Sequence, residues 1–281
     1  MPSILITTAD LAAHLDDPHW LSMDTRFNLS QPEWGEAEYR AAHIPGALYA
    51  HLDRDLSGPK TGQNGRHPLP ALGSFKAQLG RWGIGPGVQV VAYDQGDGMY
   101  AARLWWMLRA LGHAEAAVLD GGWAKWQREA RPAQVGDSPA RRPAVFAGAD
   151  AWAGAVTPEQ AGAMGQNPAA RLLDARAPQR YRGEQEPIDP RAGHIPGALN
   201  FPYGRSLQPA GTFRPPSEVR AEFAAVLGAT PPEQAAAYCG SGVTACHLIL
   251  AAEYAGLPGM QLYPGSWSEW VADPSRPIAK S

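Results

Sequence analysis

The chain is written twice. His43-Ile44-Pro45-Gly46-Ala47-Leu48 returns as His194-Ile195-Pro196-Gly197-Ala198-Leu199, 151 positions later. Asp24-Thr25-Arg26 returns as Asp174-Ala175-Arg176 after 150 positions, Tyr93-Asp94 as Tyr238-Cys239 after 145, and Trp123 as Trp267 after 144. Chance does not produce four ordered landmarks whose offsets drift by so few residues. Self-similarity at a fixed offset marks a duplicated structural unit. In a chain of 281 residues it calls for two copies of one domain of about 130 residues, within the usual range of ~100–200 per domain.

The boundary comes from the repeat. Residues 131–155 are rich in Pro, Ala, Gly and Arg and carry no apolar period, which reads as a linker. The expected division is a first domain at 1–130, the linker, and a second domain at 156–281. Each copy opens alike. Thr7-Thr8-Ala9-Asp10 reads as a capping box, and Thr157-Pro158-Glu159-Gln160 as another with proline at the first helical position. Strands are expected at 21–24, 88–93 and 117–119, and again at 172–174, 235–238 and 260–263. Helices are expected at 101–111 and 245–255, ended by Gly112 and Gly256. This alternation predicts an α/β fold in which each copy is a parallel sheet flanked by helices. Ligands of such sheets sit beyond the carboxyl ends of the strands.

Composition closes off several functions. The net charge is −3 and no long basic run occurs, so nucleic acid is not an expected partner. No apolar stretch approaches the ~18 residues of a membrane span, so no membrane is expected either. Met1 to Asp17 holds no basic region followed by an apolar core, and the expected location is cytoplasmic. No zinc spacing, phosphate loop or dinucleotide fingerprint is present, so no metal and no cofactor are expected. The two cysteines, Cys239 and Cys246, exclude a disulfide framework. Their spacing sets one on a loop and the other on the helix after it, which disfavours a bridge.

Cys239 is the residue with chemistry to offer. Cys239-Gly240-Ser241-Gly242-Val243-Thr244 joins a strand to a helix at the ligand-binding end of the sheet. Two glycines let the loop curl so that successive N–H groups point inward. Such a nest, with the helix N-terminus behind it, favours an anion, and that anion can be the cysteine's own thiolate. The first copy has Asp94 at the matching place, so the frame persists there without the nucleophile. Cys246, on the apolar helix, reads as packing.

The paired His-Ile-Pro-Gly-Ala motifs, the Cys-Gly-Ser-Gly-Val-Thr loop and the closing Gly-Ser-Trp together resemble the two-domain rhodanese-type sulfurtransferases. The loop is most similar to that of the 3-mercaptopyruvate sulfurtransferases. The resemblance spans nearly the whole chain. It implies two tandem rhodanese-like domains, the first catalytically silent and the second carrying the catalytic cysteine. It further implies transfer of a sulfane sulfur through a Cys239 persulfide, with an Asp–His–Ser proton relay. Asp53 and His67 match the first two members and Ser241 the third. The other reading of His67 is a solvated loop histidine. Gly240, Gly242, Val243 and Thr244 become substrate-binding through the loop.

A substrate carboxylate suits a bidentate arginine. Arg180 matches a family substrate arginine. A second family arginine directly follows a Glu-Pro pair, but here Ile188 follows Glu186-Pro187 and the next arginine is Arg191. Arg191 is thus a shifted substitute or a surface residue. His43 and His194 occur in both copies while the nucleophile occurs in one, so they read as turn-fixing rather than catalytic or metal-binding. Arg26 and Arg176 are structural by the same logic, and Trp105, Trp106 and Trp123 read as packing.

The resulting expectation is an enzyme. It moves sulfur from 3-mercaptopyruvate through Cys239 to a thiol or cyanide, releasing pyruvate, with a thioredoxin-like protein as one thiol acceptor. The alternative is thiosulfate:cyanide transfer. Specialists for that dianion carry basic residues inside the loop, where Gly240, Ser241 and Gly242 are neutral. A non-catalytic sulfur-carrier or regulatory module would need neither Arg180 nor His67. Cysteine-dependent phosphoester hydrolysis needs Arg six positions after the nucleophile, and Ala245 stands there.

Overall fold

The structure is a computed structural model that describes residues 3–281. The chain divides into two compact units. The first comprises residues up to Gly58, Pro70–Ala153 and Gln208–Phe213, and the second Pro59–Leu69, Gly154–Leu207 and Arg214–Ser281. Each sequence copy thus supplies most of one unit and a short segment of the other.

In the first unit the elements run β1 (Leu5–Ile6), α1 (Thr8–Ala12), β2 (Trp20–Asp24), α2 (Trp34–Ala41), β3 (Leu48–Tyr49), α3 (Leu72–Arg81), β4 (Gln89–Tyr93), α4 (Ala101–Ala110), β5 (Ala116–Leu119) and α5 (Gly122–Arg128). The second unit holds α6 (Pro158–Gln166), β6 (Arg171–Asp174), α7 (Pro178–Arg182), β7 (Leu199–Asn200), α8 (Pro216–Leu227), β8 (Ala235–Tyr238), α9 (Thr244–Tyr254), β9 (Gln261–Leu262) and α10 (Ser266–Trp270). The strand orders are β1-β5-β4-β2-β3 and β9-β8-β6-β7, and every pairing is parallel. The two sheets share one topology. Where β1 lines β5 in the first, a single parallel bridge of Ala155 to Leu262 stands in the second.

The repeat is visible bond by bond. The Tyr93 hydroxyl accepts the N–H of Ile44, and the Tyr238 hydroxyl that of Ile195. Arg26 grips the Asp24 carboxylate and the Ala42 carbonyl, and Arg176 grips Asp174 and the Gly193 carbonyl. The two guanidiniums lie 4.9 Å over Trp123 and 4.6 Å over Trp267. His43 and His194 use Nδ1 on the carbonyls of Tyr39 and Tyr181 and stack on those rings at 4.1 and 3.8 Å. These histidines and arginines are occupied in holding turns and strand ends, as their presence in both copies requires.

The caps differ in one respect. Thr157 and Gln160 make the full reciprocal box. In the first copy the Thr7 hydroxyl accepts the Asp10 N–H, but the Asp10 carboxylate, one methylene shorter than Glu, takes the Thr7 hydroxyl instead of reaching back to the backbone. Helices α4 and α9 are buried almost all round, which explains their apolar runs. Both stop where Gly112 and Gly256 take positive φ, 86° and 76°. Trp105, Trp106 and Trp123 are all buried.

Residues 131–153 contain no helix and little pairing, yet they are laid down on the first unit. His43 and Gln134 exchange backbone bonds, Ala144 N–H donates to Gly80, Ala149 N–H donates to Leu111, and Trp152 stacks on Trp106 at 6.2 Å.

Candidate active site

The carboxyl ends of β4 and β8 receive the same support in both units. The N–H of Trp123 donates to the Asp94 carbonyl and that of Trp267 to the Cys239 carbonyl, each at 2.9 Å. Ala124 and Ser268 repeat the pattern on Gln95 and Gly240. The loops beyond the strand ends differ in length. From Asp94 the helix begins at Ala101, but from Cys239 it begins at Thr244, so the second loop is two residues shorter.

The first loop is filled by its own side chain. Asp94 Oδ1 accepts the N–H groups of Gly96 and Gly98 at 3.0 Å, and Oδ2 accepts that of Tyr100 at 2.9 Å. Burial and the neighbouring Asp97 push the Asp94 carboxyl up to about 6 against the pull of these donors. In this copy the N–H groups of the loop converge on a built-in anion, the Asp94 carboxylate.

In the second unit Cys239 takes that place. It is buried, and its N–H donates to Ser266 Oγ at 3.0 Å. Ser266 has φ +56°, a left-handed conformation rare for serine, and its hydroxyl donates to the Tyr263 carbonyl. The matching first-copy residue is Gly122 at φ +51°. Positive φ at this position is common to both copies and belongs to the turn into α5 and α10. The Gly-Ser-Trp motif was its only sequence signal. Gly242 has φ +75°, and a Cβ there would lie 2.2 Å from the Pro264 carbonyl oxygen, so only glycine fits the bend. Val243 caps α9 and Thr244 opens it. Cys246 is buried on α9, where its thiol donates to the Gly242 carbonyl.

Two residues after Cys239, Ser241 Oγ shares a 2.8 Å hydrogen bond with His67 Nδ1. Both are buried, so His67 is no solvated loop histidine. It reaches Ser241 because the segment 59–69 belongs to the second unit, anchored by the Arg66 N–H on Ser268 Oγ at 3.0 Å. Asp53 belongs to the first unit, where its N–H donates to His51 Nδ1.

Two guanidiniums stand over Gly240. A Cβ built on it would lie 3.0 Å from Arg66 Nη2 and 3.5 Å from Arg180 Nη1. Sequence reasoning expected Arg180 and missed Arg66, although it adjoins His67. Arg180 does not present its whole fork. Nε and Nη2 hold Glu186, and Nη2 also holds Asp189 at 3.0 Å. Arg66 Nη1 holds the other oxygen of Asp189 at 2.7 Å. Burial works to raise the Glu186 carboxyl, but Arg180 and the N–H groups of Asp189 and Ile188 hold it below the usual carboxylate range. Arg191 offers its carbonyl to Trp267 Nε1, and its charge acts on Asp273.

The arrangement offers a buried thiol at a strand end, a hydroxyl–imidazole pair two residues on, and two guanidiniums over the residue that follows the thiol. The family description "Rhodanese-like domain" matches residues 7–129 and again 157–273. A probable 3-mercaptopyruvate sulfurtransferase of Pseudomonas aeruginosa is 45% identical over 98% of this chain and 97% of its own length. A putative thiosulfate sulfurtransferase of Mycobacterium tuberculosis is 40% identical over 99% of this chain and 97% of its own. The solved structure of 3-mercaptopyruvate sulfurtransferase from Leishmania major superposes with a TM-score of 0.86 at 30% identity, over 96% of this chain and 75% of that one. No helix among the described residues is long and apolar enough to cross a membrane. With the repeated fold and these relatives together, the chain belongs to the rhodanese-like family as an enzyme of two tandem rhodanese-like domains, a sulfurtransferase.

Proposed function

We propose that the enzyme takes its sulfur from 3-mercaptopyruvate, with Cys239 as nucleophile. The observation that carries this reading is the pair Arg66 and Arg180 over Gly240, one residue from the cysteine. Paired guanidiniums there suit the carboxylate of an α-keto acid thiol. The Cys239 thiolate attacks the donor sulfur and the carbon–sulfur bond breaks. The bonding electrons leave on carbon as the enolate of pyruvate. The proton of the donor thiol passes through Ser241 and His67 to that carbon, leaving pyruvate and a Cys239 persulfide anion. A thiol or cyanide then takes the outer sulfur and restores the thiolate. A thioredoxin-like protein suits the thiol acceptor. A free thiolate nucleophile needs a reducing compartment, which supports a cytoplasmic location.

The loop at Gly240, Gly242, Val243 and Thr244 would cradle the transferred sulfur. Asp53 enters the relay on the family resemblance, and Arg191 stands as an outer substitute for the arginine displaced by Ile188. Thiosulfate is the second reading, favoured by the name of one full-length relative.

The nucleophile is tested by intact-mass spectrometry after donor treatment. One added sulfur is expected on the wild type and on Cys246→Ser, and none on Cys239→Ser, which should lose turnover. A persulfide mapped to Cys246 overturns the assignment.

A further inference from the structure

The two arginines over Gly240 come from separate stretches, Arg66 from the segment 59–69 and Arg180 from α7. One side chain joins them. Asp189 gives Oδ1 to Arg66 and Oδ2 to Arg180, and only 4% of its side chain is exposed. Its N–H donates to Glu186 Oε1, so the carboxylate is held from its own backbone as well. A bridge of this kind sets the spacing of the two guanidiniums. It also leaves Arg66 Nη2 and Arg180 Nη1 turned to Gly240.

Charge is the second consequence. Arg66, Arg176 and Arg180 are met by Asp174, Glu186 and Asp189, three against three. The site therefore binds an anion through directed N–H groups rather than through excess positive charge. A monoanion satisfies those donors. A dianion brings a second charge beside the buried Asp189 carboxylate, with none of these three cations left to meet it.

We propose that Asp189 is the specificity-determining residue for donor charge. It positions Arg66 and Arg180 and cancels part of their charge, so that the enzyme selects a monoanionic carboxylate over a dianion. This rests on the reading of Arg66 and Arg180 as the donor clamp.

The test compares kcat/KM for 3-mercaptopyruvate and thiosulfate, with cyanide as acceptor, in wild type, Asp189→Asn and Asp189→Glu. In Asp189→Asn the thiosulfate-to-mercaptopyruvate ratio should rise about tenfold, mainly through a lower KM for thiosulfate. Asp189→Glu should keep a ratio near that of the wild type. Parallel losses with both donors in Asp189→Asn, with the ratio unchanged, would reduce Asp189 to a structural brace and overturn the proposal. If Asp189→Asn does not fold, the ratio is read in Asp189→Ser, where the same rise is expected and an unchanged ratio overturns the proposal. Which donor the wild type prefers tests the reading of the reaction; how the ratio moves between wild type and variant tests Asp189.

Discussion

Ser241 Oγ and His67 Nδ1 meet at 2.8 Å although 174 residues of chain separate them. The bond joins the loop of the nucleophile to a segment that the first sequence copy contributes to the second unit. On the proposed reaction, a hydroxyl held by an imidazole two residues from Cys239 receives the proton that the donor thiol must lose.

That use predicts a donor-dependent loss. His67→Ala and Ser241→Ala should lower turnover with 3-mercaptopyruvate by ~10²–10⁴-fold, the span of a positioned acid–base group. Asp53→Ala should do the same if it completes the relay. Thiosulfate brings no thiol proton, so its turnover should fall far less. Steady-state rates with both donors check this, and equal losses would assign the pair to structure.

The clamp predicts a KM effect. Arg66→Ala and Arg180→Ala should each raise KM for 3-mercaptopyruvate by ~10–100-fold, as expected for a lost charge-assisted bond. Arg180→Lys should rescue only in part, because lysine cannot hold Glu186 side-on while presenting a second N–H to the donor. Arg191→Ala should raise KM for 3-mercaptopyruvate if Arg191 replaces the displaced family arginine, and leave it unchanged if its charge serves Asp273 alone. An Arg66→Ala enzyme with wild-type KM would remove Arg66 from the site.

Two matched glycines should differ in cost. Gly46 and Gly197 occupy the same turn at φ +76° and +80°. A Cβ on Gly46 meets nothing within 4 Å, whereas one on Gly197 would lie 1.8 Å from the Gly165 carbonyl oxygen. Gly46→Ala should cost about 1–2 kcal/mol, the penalty of the left-handed backbone alone. Gly197→Ala should cost clearly more, because α6 must also move. Denaturant midpoints of the two variants give the comparison.

Stability should fall on mild acidification. Burial holds His43, His51 and His113 below the ordinary histidine value of 6.5. The unfolded chain therefore binds more protons below pH 6.5 than the folded one. Their contribution is complete above that pH and is lost as pH falls toward their folded values. Asp94, pushed up to about 6, acts in the opposite sense, its ionised form costing stability as pH rises through that value. Thermal midpoints should hold from pH 8 to about pH 6.5 and drop below it, and His51→Gln should flatten the drop.

The sequence alone determined the duplication, the α/β layering and the place of Cys239 at a strand end. These are legible because they depend on residues adjacent in the chain or on a pattern repeated within it. The histidine and arginine of each copy bond to partners in their own copy, so comparison of the copies exposes their role. The loop's glycines likewise announce a bend that backbone geometry dictates.

Only the tertiary structure decided which distant residues meet around Gly240 and Ser241. Arg66 and His67 sit in a segment without helix or strand, so no period marks which face they present. Their partners Asp189 and Ser241 lie 123 and 174 residues away, and no local rule connects them. Sequence reasoning looked for a second arginine downstream of Glu186-Pro187, where the family carries it. Folding sets a guanidinium over Gly240 from Arg66 instead, and on the proposed reading a carboxylate clamp needs charge at a point in space, whichever part of the chain delivers it.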